Sequence, residues 1–450
     1  MAASKSLSTL VYNVWTSEGS DVSALASRFF DGQVDALGLL MYLSGSGHDI
    51  DEEEIEEDAM AVIEREDGDE LSYESFVDKY MAPNRPVIIT GLTSSWRATH
   101  EFLHSDSRSS LNVERLIKEY GECVAPVHVS NVPKGCPFGG LSRPATDEMT
   151  VTAYCDYWRE KPQCSDREET ETYLYLKDWK PHAISGKKSM YDCPEYFKED
   201  WLNDLNGSYK FVYLGPAGTC TRLHADVLRS YSWSSNVTGR KRWYLIPPEY
   251  TYLLYDVFGK ALAPHIHFDL ESELNATMFP GLKLARKHTV IVDQLKGETI
   301  FVPSGWHHSV ENLEDTFSIN HNWLNGFNLE GSWKKLKEEI ENERAYRKAE
   351  GSLEGVEEEL KGGEGRYGDG ESQIGKDLIL LYEVLAFRLS GDGEIRREEM
   401  AMVAMVLQEM VEIVGGCVGE DVYGVKRMSD WRPEDFLKVV NAELGVGFIK

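Results

Sequence analysis

The stretch "GETIFVPSGWHHSVENLEDTFSINHNW", Gly297 to Trp323, reads as β-structure interrupted only by turn residues. An apolar strand runs into the turn "PSGW", two adjacent histidines follow, and "TFSINHNW" supplies another strand. Successive side chains of a strand point to opposite faces, so Trp306, His308 and Val310 share one face while His307 and Ser309 share the other. Only one of the two histidines can then face inward. Outward from this stretch the same signal recurs in "ETYLYLKDW", "YKFVYLGPAG", "SYSWSSNVTG", "KRWYLIPPE" and "HTVIVDQLKG". Many short β-rich runs separated by Gly, Pro and Asn turns predict an antiparallel barrel or jelly roll. Helical patterning before and between them makes the fold mainly β with α.

The chain is 450 residues long with 42% hydrophobic and 11% aromatic residues, enough for a large core. Its formal net charge of −29 argues against nucleic acid and anionic membrane surfaces as partners, and favours a basic peptide or protein. The 7 cysteines are scattered without a C-x-x-C pair, which fits reduced thiols and neither a disulfide framework nor a structural zinc site. The most apolar helical run, "LILLYEVLAF" (Leu378–Phe387), is too short to span a bilayer. A soluble protein of the cytoplasm, with the nucleus as a further location, is expected.

Four segments are expected. Residues 1–68 carry the acidic run "HDIDEEEIEEDAMAVIEREDGDE", a flexible region or solvated helix. Residues 69–328 hold the β-rich domain, entered through a helix capped by Ser72 and carrying Phe76, Val77 and Tyr80, then a buried strand "RPVIITG". Residues 329–374 hold a helix capped at Ser332 and a Gly/Glu-rich linker, and residues 375–450 form a helical extension.

In "GTCTRLHADVLRS", Gly218 to Ser230, His224 and Asp226 lie two apart. On a strand they would share a face with Arg222, opposite Thr221, Leu223 and Ala225. An imidazole and a carboxylate so placed can begin a two-histidine, one-carboxylate metal site, although a hydrogen-bonded core pair has the same pattern. Alternation also puts Lys241 of "GRKRWYLIPP" on the face of Trp243 and Leu245, away from Arg240 and Arg242. A lysine aimed into a barrel needs an anion to pair with; the alternative is a basic turn that snorkels to solvent.

Together, His224-x-Asp226, Lys241, "YLYLKDW", "SYESFVDKYMAPNRPVIITGL" and "FVPSGWHHSVENLEDTFSINHNW" resemble the Jumonji C (JmjC) family over roughly residues 70–325. In detail they are similar to its Jumonji domain-containing protein 4 subgroup. The resemblance implies a double-stranded β-helix (jelly-roll, cupin) core and Fe(II)- and 2-oxoglutarate-dependent dioxygenase chemistry with O2. It implies His224, Asp226 and His308 as catalytic iron ligands, with His308 in the ligand slot ahead of His307. Lys241, Thr221 and Tyr175 would contact the distal carboxylate of 2-oxoglutarate, and Asn322, with Asn320 beside it, would lie near the C1 carboxylate. One departure is Ser234, where many relatives have asparagine; Asn236 lies two further on. Alternation sets Thr221 opposite the ligands, so this carry-over requires a bulge or twist near Arg222.

The subgroup implies lysyl C-hydroxylation of the eukaryotic peptide-chain release factor, hence a role in translation termination. Histone lysine demethylation and a non-catalytic binding module are the alternatives. His182, His265 and His267 read as loop or surface histidines. Tyr231 and Trp233 read as core, with a pocket-lining role open.

Overall fold

In chain order, the strands of the computed structural model are β1 (Glu64–Asp67), β2 (Val87–Thr90), β3 (Val124–Asn131), β4 (Ala145–Thr150), β5 (Thr172–Trp179), β6 (Lys210–Gly215), β7 (Cys220–His224), β8 (Tyr231–Thr238), β9 (Lys241–Ile246), β10 (Val290–Gln294), β11 (Thr299–Val302), β12 (His307–Asn312) and β13 (Thr316–Trp323). The structure describes residues 63–105, 110–131, 145–161, 172–256, 261–268, 270, 273–351, 373–389, 399, 402–403 and 405–410. The acidic run before residue 63, the Gly/Glu-rich linker and the residues after 410 lie outside these.

The strands form a nine-stranded sheet in the order β1-β2-β11-β8-β13-β6-β5-β3-β4 and a four-stranded sheet in the order β10-β9-β12-β7. From β6 to β9 the chain alternates between the two sheets strand by strand, and from β10 to β13 it does so again. That alternation is the winding of a jelly roll, so the core is a double-stranded β-helix. β1 pairs with β2 in parallel, whereas β9, β10 and β12 pair antiparallel within the smaller sheet. Inner faces of both sheets meet in one apolar cluster: Ile88, Ile300 and Val302 against Trp243, Leu245, Val290, Val292 and Val310. Each such buried side chain contributes roughly 1.5–3 kcal/mol, which locks the alternation in β9 and β12.

The entry helix begins as expected. Ser72 Oγ accepts the Ser75 N–H at 3.1 Å, and the helix continues through a π turn (Val77–Met81) that buries Tyr80 and Met81. The helix expected to start at Ser332 instead runs from Gly326 to Gly351. Asn325 caps it: its Oδ1 accepts the Phe327 N–H at 3.0 Å, and Asn328 Oδ1 accepts the Asn325 N–H at 2.9 Å. Ser332 is buried inside the helix.

Two compact units are present, and the division is not sequential. One comprises the described residues up to Cys193 with Lys210–Ala225 and Trp233–His321, and holds nearly all of the β-structure. The other comprises Pro194–Tyr209, Asp226–Ser232 and the chain from Asn322 onward. It has its own core, in which Trp201, Leu202 and Leu228 pack with Trp333, Leu381, Leu385 and Val406.

Candidate functional site

β7 does not run straight. His224 pairs with His308 and Thr221 with Val310, with a register shift between them, so β7 carries one more residue than β12 over this interval. His308 and Val310 share a face of β12, so the bulge turns Thr221 to the same side as His224. This is the irregularity near Arg222 that the placement of Thr221 required. The strand ends at His224, so Asp226 is not on it: it opens the tight turn Val227–Arg229 with an extended backbone. Leu228 and Arg229 follow with φ of 54° and 50°, a left-handed conformation that costs such residues on the order of 1–3 kcal/mol each. Burial of the Leu228 side chain in its apolar cluster offsets part of that cost.

The result is convergence. His224, Asp226 and His308 each offer one ligand atom, and these atoms lie within 4.8 Å of one another. Both rings are oriented by backbone: His224 Nδ1 is 2.7 Å from the Arg222 carbonyl and His308 Nδ1 is 3.1 Å from that of Trp306. With Nδ1 donating in each case, Nε2 is the nitrogen presented as a ligand. The ring centroids are 4.3 Å apart, and Trp243 packs 5.5 Å from His308. Two imidazoles and one carboxylate suit a divalent first-row metal and leave coordination positions open. His307 points elsewhere, with Thr251 Oγ1 3.3 Å from its Nδ1.

Lys241 is 2% exposed at the start of β9. Its Nζ donates to Ser318 Oγ at 2.6 Å and sits 5.8 Å from the Tyr213 ring centroid. Among the described residues no carboxylate lies within ion-pair distance of it. Burial, and secondarily the charge of Lys177, push its pKa down to about 7. A buried cation in this state favours an anionic ligand. Tyr175 is also buried, with its hydroxyl close to the side chains of Thr221 and Asn312. Asn312 is held in turn by Thr219 and Thr316, and Gly215 leaves the room: a Cβ there would lie 2.1 Å from Asn312 Nδ2.

On β13, alternation sets Asn320 and Asn322 on the face of Ser318, the face turned to Lys241. Asn320 Oδ1 is buried without a hydrogen-bond partner among the described residues, as is Ser234 Oγ. Buried unpartnered polar atoms fit a polar guest that can hydrogen-bond to them. Asn322 is tied by its backbone, its N–H donating to Tyr209 and its carbonyl accepting from Asn203. Asn236 serves a turn, donating to the Gly239 carbonyl at 2.7 Å.

Of the other histidines, His182 is exposed, and His267 is exposed beside Tyr244. His265 differs from its surface reading: it is fully buried against Tyr244, and burial pushes its pKa down to about 2. The apolar cluster over the outer face of the smaller sheet forms this environment. Trp233 stacks on His321 at 4.2 Å and Tyr231 packs on Trp323 at 5.0 Å, both as core. Sequence reasoning missed Ser318, Tyr213 and Asn312. Ser318 was signalled by alternation, since it lies two residues from Asn320.

Residues 73–329, over half the chain, match the cupin-like domain. The arginine-specific demethylase JMJ20 of Arabidopsis thaliana is 38% identical over 314 residues, covering 65% of this chain and 63% of that protein. The 2-oxoglutarate and iron-dependent oxygenase JMJD4 of Homo sapiens is 36% identical over 278 residues, covering 60% and 63%. The bifunctional arginine demethylase and lysyl-hydroxylase psr-1 of Caenorhabditis elegans is 29% identical over 286 residues, covering 61% and 64%. The chain thus spans about 63% of the length of the first two. Among the described residues, no helix is long and apolar enough to cross a membrane.

Proposed function

This chain belongs to the cupin-like domain family, and on that premise we propose that it is an Fe(II)- and 2-oxoglutarate-dependent oxygenase acting on a protein substrate. The observation that carries this reading is the meeting of His224, Asp226 and His308 within 4.8 Å, in a barrel that also buries Lys241 with no carboxylate beside it among the described residues. Iron held by the triad, with 2-oxoglutarate and dioxygen, would supply oxidation of a substrate C–H bond, with succinate and carbon dioxide as co-products. The residues of the chain provide the rest. The Arg222 and Trp306 carbonyls fix the two imidazoles, Lys241 with Thr221 and Tyr175 holds the distal carboxylate of the co-substrate, and Asn320 and Asn322 serve its other end. Trp243, Val310 and Leu245 keep water from the inner wall.

The substrate we propose is a lysine side chain of the eukaryotic peptide-chain release factor, hydroxylated on carbon, which places the protein in translation termination in the cytoplasm. A second reading, removal of N-methyl groups through the same C–H oxidation, is favoured by the 38% identity to a protein named an arginine-specific demethylase. Mass spectrometry of the treated release factor and of methylated peptides separates them. Gain of one oxygen on an unmethylated lysine supports the first, and loss of a methyl carbon supports the second. A protein that makes no succinate from 2-oxoglutarate with any of these, and binds no iron, would be a binding module.

A further inference from the structure

β5 carries a second bulge. Leu176 pairs with Leu214 and Trp179 with Val212, so Lys177 and Asp178 together oppose Tyr213. Asp178 takes the left-handed conformation, with φ of 63°, that lets two neighbouring side chains address one residue. Its carboxylate accepts the Tyr213 O–H at 2.7 Å, while Lys177 Nζ lies 5.7 Å from the ring centroid. Tyr213 is stacked on Phe211 at 6.2 Å, and Lys180 Nζ lies 5.5 Å from the Phe211 centroid. Three lysines therefore follow two stacked rings: Lys180 exposed, Lys177 half-buried, Lys241 buried.

The strands give this series a direction. Lys241 pairs with Asn312, and β13 begins just beyond at Thr316, opposite Gly215. Phe211 pairs with Asn320 towards the other end of β13, the end at which β9 reaches His308 through Leu245. Lys180 thus marks the metal end of the barrel and Lys241 the far end. Asp178 partly balances Lys177. Although burial pushes the Asp178 carboxyl up, the Lys177 charge with His128 and Tyr213 holds it well below the usual carboxylate range.

Resting on the co-substrate reading of Lys241, we propose that Lys180 and Lys177 form a cationic path along Phe211 and Tyr213 that draws a dicarboxylate, of the 2-oxoglutarate class, inward to Lys241. A chain of net charge −29 repels a dianion at long range, so local positive potential governs its capture.

The test is 2-oxoglutarate association with the full-length, manganese-loaded protein, measured by stopped flow without any protein substrate. Lys177→Gln and Lys180→Gln should each slow association about threefold at low salt and the double variant about tenfold. The differences should collapse at about 0.5 M salt. Lys180→Arg should keep the wild-type rate, as should Lys287→Gln, which removes an exposed charge elsewhere. A double variant within twofold of wild type at low salt overturns the proposal. So does an effect seen only when a substrate peptide is added, which would assign the path to a carboxylate of the substrate. A wild-type protein that takes up no 2-oxoglutarate refutes the co-substrate reading itself.

Discussion

Binding of 2-oxoglutarate should be accompanied by proton uptake at Lys241. Burial holds the pKa of this lysine at about 7 against an ordinary 10.5, so its charged form is disfavoured in the folded protein by roughly 5 kcal/mol. Near pH 8 about nine-tenths of Lys241 is neutral before the ligand arrives. A carboxylate at hydrogen-bonding distance favours the ammonium form, so the complex carries the proton that the free protein lacks. Titration calorimetry of the manganese-loaded protein, in buffers of differing ionisation enthalpy, reads that proton directly. About 0.9 proton should be taken up per ligand near pH 8, and about 0.1 near pH 6, where the lysine is already charged.

The same lysine leaves a mark on stability without ligand. Its folded pKa lies below its unfolded value, so the unfolded chain binds more protons between about pH 7 and 10.5 and stability rises with pH across that window. Lys241→Met should lose this rise. It should also bind 2-oxoglutarate roughly 100- to 1000-fold more weakly, as expected when one partner of a buried pair is removed. Uptake near zero at pH 8 in the wild type would refute the neutral resting state. Undiminished affinity in Lys241→Met would refute the carboxylate assignment.

Three further outcomes follow from the geometry. His308→Ala or Asp226→Ala should abolish the rise in melting temperature caused by manganese, whereas His307→Ala, whose ring turns to Thr251, should keep it; retention in the Asp226→Ala, His308→Ala double variant would dismiss the triad. Gly215→Ala should force Asn312 and Tyr175 apart, since its Cβ would lie 2.1 Å from Asn312 Nδ2 and 2.8 Å from Tyr175 Cε2; urea unfolding should show a loss of about 1–3 kcal/mol, with weakened 2-oxoglutarate binding. Asn325→Ala should cost about 1 kcal/mol through the lost helix cap and Asn325→Ser much less, and equal stability of the two would argue against capping.

Where strands are regular, the sequence was a sufficient guide to the site. β9 and β12 run without a shift against each other, so alternation placed Lys241 with Trp243 and Leu245 and set the two histidines on opposite faces, and the family resemblance then took His308 over His307. The jelly roll followed from strand spacing and the family resemblance. Legibility failed where a local interaction overrode the period. Asn325 took the helix cap that the charged run had suggested for Ser332, because side chains near "LNGF" could satisfy the first N–H groups. His265 was buried by a loop whose path no periodic signal encodes.

The two bulges explain why the remaining site residues resist a reading by alternation. One extra residue in β7 brings Thr221 to the side of His224, and one in β5 lets both Lys177 and Asp178 address Tyr213. The first left a trace in the sequence, as a conflict between the face of Thr221 and its assigned role. The second left none, since "YLYLKDW" reads as an even strand and aspartate merely tolerates the left-handed conformation it needs. Both lie on strands whose side chains meet where Tyr175 approaches Thr221. A regular barrel would turn one of those two residues outward, so the register shift in β7 is itself part of the site.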